Sequence, residues 1–207
     1  MKGDHLLDPV KNFFTTKFQQ IGARPEGVDY NSETAQITRF EQFERLFGAK
    51  RRFSLNDYGC GYGALAVYLK QKDYTFQYHG YDISAKMVDY ANQSISKNEN
   101  WKFTSNADEL CFADFTIACG VFNLKFDADP QTWIDYILDS LLSIARISKL
   151  GFGFNMLTKY SDADKMRPDL YYGDPLYFFD YCKRQFSRNV ALLHDYELYD
   201  FTILVRL

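Results

Sequence analysis

Hydrophobic residues recur at helical spacing through the first 48 residues of the chain. Between Asp8 and about Phe18 this spacing predicts an amphipathic helix that Asp8 caps and Pro9 opens. A second helix is predicted from Ser32 to Gly48, because apolar residues again recur three and four positions apart and glycine commonly follows a helix. We expect residues 1–48 to form a helical cap on a domain comprising residues 49–207.

From residue 52 onwards, strand-like and helix-like patterns alternate. The predicted strands are 53–57, 76–82, 101–104, 115–119, 151–157, 190–194 and 198–206, and the predicted helices between them are 64–71, 84–96, 133–148 and 174–184. Alternating strands and helices favour a parallel sheet with helices on both faces, whereas the short turn before the last strand requires an antiparallel neighbour. The predicted fold is therefore α/β: a doubly wound, Rossmann-like, seven-stranded sheet with a C-terminal antiparallel hairpin strand. Ligands should bind beyond the carboxyl ends of its strands.

Composition narrows the class of protein. Hydrophobic residues make up 46% and charged residues 25%, as in an ordinary soluble domain. The aromatic content of 18% is high, and it indicates either a bulky core or a pocket lined with rings. The formal net charge is -3 and the densest basic cluster is only 50–52, so a nucleic-acid partner is disfavoured.

The same composition bears on location and on metals. No apolar run approaches the ~20 residues of a membrane span, and the first five residues lack a signal-peptide core, so we expect a cytoplasmic protein without a membrane partner. The four cysteines show no Cys-x-x-Cys pairing, which fits free thiols in a reducing compartment. The three histidines are scattered, so a zinc site has little support.

A glycine-rich stretch, Asn56-Asp57-Tyr58-Gly59-Cys60-Gly61-Tyr62-Gly63-Ala64, lies between the first predicted strand of the domain and its helix. Glycines let a ligand approach the main chain there, and the spacing also fits a dinucleotide-binding loop. A tight turn without a ligand is the alternative. Asp57 separates the possible ligands, because a carboxylate repels a pyrophosphate but attracts an ammonium or sulfonium group.

Asp82 ends the next strand, 19 residues beyond Gly63, where a carboxylate can accept hydrogen bonds from ribose hydroxyls. Its alternative role is to cap the helix near Ser84. An adenosine ligand with a positively charged tail is S-adenosyl-L-methionine (SAM). Asp57, the glycines and Asp82 together favour SAM over a nicotinamide dinucleotide.

These residues resemble the class I SAM-dependent methyltransferases over roughly residues 50–207. Residues 57–63 resemble the family's first motif, D-x-G-C-G-x-G, and residues 81–87 resemble its second. The resemblance implies an α/β fold, SAM as the cofactor, and a set of SAM-binding residues: Asp57, Gly59, Cys60, Gly61, Gly63, Asp82, Ile83, Met87, Asn106, Ala107 and Cys119. In this set Ile83 and Met87 would flank the adenine, Asn106 would stand where many members have an acid, and Cys119 would belong to the fourth motif. Several further stretches resemble an uncharacterised bacterial subgroup that acts on small molecules.

Catalytic candidates follow from the predicted strand ends. His194 is predicted on the ligand face and is the candidate general base, with a hydrogen-bonded histidine at a hairpin as the alternative. Asn123 and Asn155 end two neighbouring strands and are candidates for positioning the acceptor, unless they only cap loops. Arg39, on the second helix, is a candidate for the methionyl carboxylate of SAM, or else lies on a solvated helix face.

The predicted function is methyl transfer from SAM to a small molecule, with an oxygen acceptor slightly preferred over nitrogen. The N-terminal helices would close over SAM as a lid, or else dock a partner. Two other hypotheses remain at this stage. One is a non-catalytic SAM-binding or scaffold subunit that needs a partner, and the other is an NAD-dependent oxidoreductase.

Overall fold

The computed structural model of the protein describes residues 5–96 and 100–207, so residues 1–4 of the predicted cap lie outside it. Within this part the strands are β1 (Arg52–Tyr58), β2 (Thr75–Tyr81), β3 (Trp101–Thr104), β4 (Ala113–Ala118), β5 (Ser148–Leu157), β6 (Asn189–Leu193) and β7 (Asp200–Arg206). The helices are α1 (Asp8–Ile21), α2 (Glu33–Phe47), α3 (Ala64–Gln71), α4 (Ala85–Ser94), α5 (Pro130–Arg146) and α6 (Pro175–Gln185).

The strands form one sheet in the order β3-β2-β1-β4-β5-β7-β6. β1 to β5 are parallel, whereas β7 runs antiparallel to both of its neighbours, β5 and β6. The predicted α/β fold, with its seven strands and C-terminal antiparallel strand, is confirmed. Because β7 is reversed, its first residue lies at the same edge of the sheet as the carboxyl ends of the other strands.

Each face of the sheet has its own hydrophobic core. On one face, α2, α3 and α4 pack on β1 to β4, and Phe43 and Leu69 are fully buried there. On the other face, α5 and α6 pack on β4, β5 and β7 around Trp133 and Phe178. Since α2 shares a core with β1 and β4, this second half of the predicted N-terminal cap belongs to the covering layer of the sheet.

α1 crosses the edge of the sheet where the parallel strands end. Val10 packs in the core that contains Phe122 and Trp133, while Phe18 stacks on Tyr62 at 6.5 Å between ring centroids. The hydroxyls of Thr15 and Ser84 hydrogen-bond at 2.8 Å and join α1 to the start of α4. The helix therefore covers the crevice in which ligands of such sheets bind.

Two predicted helix starts were wrong. Leu7 occupies the N-cap of α1 and Asp8 lies in the first turn, so Asp8 does not cap the helix. α5 begins three residues before the predicted 133, because the carboxylate of Asp129 accepts hydrogen bonds from the N–H groups of Gln131 and Thr132 and Pro130 follows it. Such an Asp-Pro start is visible in the sequence and was overlooked.

Candidate active site

A cavity of about 620 Å³ lies at the carboxyl ends of β1, β2 and β4, beneath α1. Its walls combine the glycine loop, the loop after β4, the segment after β5 and the turn before β7. Aromatic side chains form much of its lining: Phe14, Tyr30, Tyr58, Tyr62, Tyr136 and Tyr172. The high aromatic content of the chain thus serves the pocket as well as the core.

The glycine loop leaves β1 as a tight turn. The N–H groups of Gly59 and Cys60 both donate to the carbonyl of Tyr81, at 2.7 and 2.8 Å, so the loop is tied to the end of β2. Gly59 has φ +85°, and a Cβ there would lie 2.5 Å from Cγ2 of Val121. Only glycine fits this position without a shift of the wall. Gly61 lines the cavity beside it.

Asp57 is 2% exposed and lies in the wall of the cavity. Its carboxylate accepts a hydrogen bond from the hydroxyl of Tyr78 at 2.5 Å. Burial raises the pKa of Asp57 to about 7, the Tyr78 hydrogen bond opposes this shift, and the nearby Asp82 charge adds to it. A buried anion of this kind is stabilised by a ligand cation, as the sequence predicts for the tail of SAM.

Asp82 faces the same cavity. Its two carboxylate oxygens accept hydrogen bonds from the N–H groups of Gly61 and Ser84, each at 2.8 Å. Burial raises the pKa of Asp82 to about 6, against the lowering effect of these two bonds. A carboxylate has about four lone-pair sites, so two remain for ribose hydroxyls. By accepting from the Ser84 N–H, Asp82 also contacts the N-cap of α4. The Ser84 hydroxyl does not cap this helix and hydrogen-bonds the Thr15 hydroxyl instead.

The predicted adenine contacts divide into two groups. Ile83 and Met87 line the cavity next to Asp82. Asn106 and Ala107 do not belong to the described lining, because Asn106 is exposed and its side chain caps a short 3₁₀ turn by accepting from the N–H of Asp108. Gly63 is also outside the lining and forms the N-cap of α3. These three sequence predictions are therefore not supported by the geometry.

Cys119, Tyr30 and Arg39 contact one another in the wall of the cavity. The Tyr30 hydroxyl lies 3.3 Å from the Cys119 sulfur, and the Arg39 guanidinium lies 5.0 Å from the centre of the Tyr30 ring. Burial raises the pKa of Cys119 to about 12, so its thiol is neutral at pH 7. Arg39 is not on a solvated face, since it is held by Asp200 inside the wall.

Comparisons with known proteins support the geometry. A model of a methyltransferase domain family matches residues 56–141. A protein of Mycobacterium tuberculosis with the name "Putative methyltransferase Rv1506c" is 46% identical over 162 residues, which is 78% of this chain and 98% of that protein. The chain belongs to the class I SAM-dependent methyltransferases. SAM is therefore its cofactor, and the dinucleotide alternative for the glycine loop is wrong.

Solved structures agree with the fold of the methyltransferase. Magnesium protoporphyrin IX methyltransferase from Synechocystis PCC 6803, with bound SAM, has a TM-score of 0.64 at 15% identity, over 96% of this chain and 95% of that one. Human N-acetylserotonin methyltransferase in complex with SAM has a TM-score of 0.63 at 18% identity, over 100% of this chain and 60% of that one. At this level of identity the likeness concerns the fold alone.

The predicted catalytic residues of the methyltransferase are only partly brought to the cavity. Asn123 lines it, with its side-chain oxygen accepting from the Leu157 N–H at 2.9 Å, which leaves the amide NH₂ for a ligand. Asn155 is fully buried behind the wall, and both ends of its amide are bonded within the protein. His194 is exposed, lies outside the described lining, and packs near Tyr160. A direct role for Asn155 or His194 at the acceptor is therefore not supported.

Several lining residues of the methyltransferase were missed by sequence reasoning. Asp200 and Glu197 flank the start of β7, and Glu197 has φ +53° in the turn. Leu7, Val10 and Phe14 contribute the underside of α1. The strand predicted from 198 begins instead at Asp200, and residues 197–200 all line the cavity.

The part of the chain that the structure describes contains neither a metal-binding cluster nor a membrane-spanning helix. No group of three or more His, Cys, Asp or Glu side chains in 5–96 and 100–207 is arranged to hold a metal ion. Among the same residues, no helix is long and apolar enough to cross a membrane.

Proposed function

We propose that the methyltransferase transfers the methyl group of SAM to a small-molecule acceptor, with oxygen slightly preferred over nitrogen. The observation that carries this proposal is the continuity of the cavity. The same cavity is lined by the residues to which we assign SAM and by Asn123, Leu157, Tyr172 and Glu197, to which we assign the acceptor. A cavity of about 620 Å³ is in the range that holds ligands of drug size, and SAM would fill only part of it.

The residues of the cavity have distinct roles in this proposal. Bound SAM supplies a sulfonium methyl group that is already activated for transfer to a nucleophile. Asp57 binds the ammonium of the methionyl tail, Arg39 its carboxylate, and Asp82 the ribose. Ile83 and Met87 provide apolar contacts for the adenine. The chain then has to align the acceptor with the methyl group and exclude water.

We assign the exclusion of water to α1. Its apolar side chains Leu7, Val10 and Phe14 face the cavity, and its polar contacts are few. Besides the Thr15–Ser84 hydrogen bond, Lys17 forms an ion pair with Asp29 in the loop beyond the helix. Separation of α1 from the sheet to admit SAM would break these two polar contacts and expose Val10 and Phe18, which are buried when the helix is in place. In our proposal α1 is the lid expected from the sequence.

A hydroxyl acceptor must lose a proton, so a general base is needed. The residue expected from the sequence was His194, but the cavity lining contains a different candidate. Both side chains are exposed to solvent, but Glu197 belongs to the described cavity lining and His194 does not. We therefore assign proton acceptance to Glu197. His194→Ala should keep kcat/KM within about twofold of wild type, while Glu197→Gln should lower it by about 10²-fold or more with a hydroxyl acceptor. Equal effects of the two substitutions would contradict the assignment.

Two further properties complete the proposal. The net charge of -3 and the mixture of Lys165, Arg167, Asp29 and Glu197 at the cavity do not form the basic face that a nucleic acid requires. All four cysteines are free thiols, which agrees with a cytoplasmic location.

Metabolite profiling with methyl-labelled SAM tests the proposal. Purified protein and labelled SAM are incubated with a metabolite extract, and labelled products are identified by mass spectrometry. A labelled product that requires the wild-type protein and disappears with Asp57→Asn supports methyl transfer. If SAM binds but no extract yields a labelled product, the chain is instead the SAM-binding or scaffold subunit considered above.

A further inference from the structure

Asp200 forms the centre of a buried polar network beside the cavity. Its side chain has no exposed area, and its two oxygens accept hydrogen bonds from Arg39, from Nε at 2.5 Å and from Nη2 at 2.9 Å. The residue comes from β7, whereas Arg39 comes from α2. The bidentate pair of the Arg39 guanidinium and the Asp200 carboxylate therefore joins α2 to the start of β7.

Arg39 is fixed in its orientation by this pair. A guanidinium carries five N–H donors, of which two bond Asp200 and one, on Nη1, bonds the carbonyl of Ala35 at 2.8 Å. Its plane also lies against the ring of Tyr30. Two N–H donors therefore remain at a group that lines the cavity, and a planar fork of this kind suits a carboxylate.

The network continues from Asp200 towards the turn after β4. The amide nitrogen of Asn155 donates to Asp200 at 2.8 Å, and its amide oxygen accepts from the N–H of Gly120 at 2.7 Å. Gly120 has φ +74°, and a Cβ there would lie 2.8 Å from the Tyr30 hydroxyl. Hydrogen bonds therefore link Arg39, Asp200, Asn155 and Gly120 in series, and Tyr30 lies beside both Arg39 and Gly120.

We propose that Asp200 is a positioning residue, which orients Arg39 towards the carboxylate of the methionyl tail and, through Asn155, holds the turn at Gly120 against that tail. The proposal rests on SAM as the methyl donor and on the tail lying between Asp57 and Arg39. It does not depend on the acceptor. A purely structural role is a weak explanation, because buried ion pairs contribute little net stability compared with apolar side chains of the same size.

Calorimetric binding of S-adenosylhomocysteine (SAH) and of decarboxylated SAH provides the test. The two ligands differ only in the carboxylate, so the ratio of their Kd values measures recognition of that group. Charged hydrogen bonds of about 1.5–3 kcal/mol correspond to a ratio of about 10 to 100 in the wild type. Asp200→Asn and Arg39→Met should each reduce the ratio to within about threefold of one, while changing the affinity for decarboxylated SAH much less.

Asp200→Glu keeps a charge beside Arg39 and covers the case in which Asp200→Asn does not fold. Its carboxylate is displaced by one methylene, so the ratio should again fall. The control is Thr116→Val. Thr116 accepts a buried 2.8 Å hydrogen bond from the Ser148 hydroxyl between β4 and β5 and is not part of the described cavity lining. This control should lower the melting temperature and leave the ratio unchanged.

Three results would overturn the proposal: a wild-type ratio in the Asp200 variants, an equal loss of affinity for both ligands, or a ratio near one in the wild type. None of these measurements uses an acceptor. A normal ratio together with a failure to find a labelled product would therefore count against the proposed function alone.

Discussion

Asp57→Asn should make the ligand-free protein more stable at alkaline pH while removing its affinity for SAM. Burial raises the pKa of Asp57 from 3.8 to about 7, so folding favours the protonated carboxyl. The contribution of Asp57 to stability is therefore highest below pH 4, falls as the pH rises towards 7, and is constant above. At about 1.36 kcal/mol for each pKa unit, the total loss is about 4 kcal/mol.

Asparagine does not ionise and its side-chain oxygen can still accept the Tyr78 hydrogen bond. The stability advantage of Asp57→Asn over the wild type should therefore grow with pH, by about 3 kcal/mol between pH 5 and pH 8. Urea denaturation without ligand measures this advantage as an increase of about 1 M or more in the difference between the two midpoints. Asp89→Asn, an exposed site on α4, is the control and should differ from wild type by about 0.5 kcal/mol or less at both pH values.

Binding of SAH to the same proteins completes the test. The wild type should lose affinity below about pH 7, because the ammonium of the ligand favours the ionised carboxylate. Asp57→Asn should bind at least about tenfold more weakly at pH 8, with little dependence on pH. A stability advantage that is the same at pH 5 and pH 8, or unimpaired binding at pH 8, would refute the reasoning.

Three other predictions concern neighbouring contacts. Tyr78→Phe removes the hydroxyl that favours the ionised form of this buried carboxylate, so the pH midpoint of SAH binding should move upwards, as calorimetry across pH would detect. Gly59→Ala should lower SAH affinity and destabilise the fold by about 1–3 kcal/mol, and Val121→Ala in the same chain should restore part of both in calorimetry and urea denaturation, since it removes the clashing methyl. Thr15→Val breaks the hydrogen bond between α1 and α4 and should raise the dissociation rate of SAH several-fold in stopped-flow measurements, with little change in melting temperature.

The fold, and the position of Asp57, Gly59, Gly61 and Asp82 in one cavity wall, could be predicted because their signals are local. The strand and helix periods are short, and Asp57, Gly59, Gly61 and Asp82 lie within one strand–helix–strand unit. The local structure of such a unit brings these residues together independently of the rest of the chain. Of the predicted residues outside the described lining, Asn106 and Ala107 follow this unit, whereas Gly63 lies within it at the N-cap of α3.

The position of Asp200 and Glu197 at the cavity could not be predicted, because it depends on the order of the strands in the sheet. β6 lies at the edge of the sheet, four strand positions from β1, which is about 19 Å at ~4.8 Å for each step. His194 lies at the carboxyl end of a strand, as predicted, but that strand is β6, which is far from the glycine loop. The reversed strand β7 lies closer, and its first residue, Asp200, faces the edge at which the other strands end. The short turn before β7 indicates its antiparallel direction, but no pattern within the last 20 residues indicates that β7 lies between β5 and β6.

The stability of the empty protein and its affinity for SAM are connected through the same buried charge. Asp57 is costly at neutral pH because the cavity wall excludes water from its carboxylate, and the same exclusion strengthens its attraction to a cation. We therefore expect binding of the ligand ammonium to offset the free-energy cost of the buried Asp57 carboxylate. Arg39 avoids such a cost because Asp200 already compensates its charge. In the proposed binding mode, the cavity would therefore recognise the tail by charge at Asp57 and by the orientation of hydrogen bonds at Arg39.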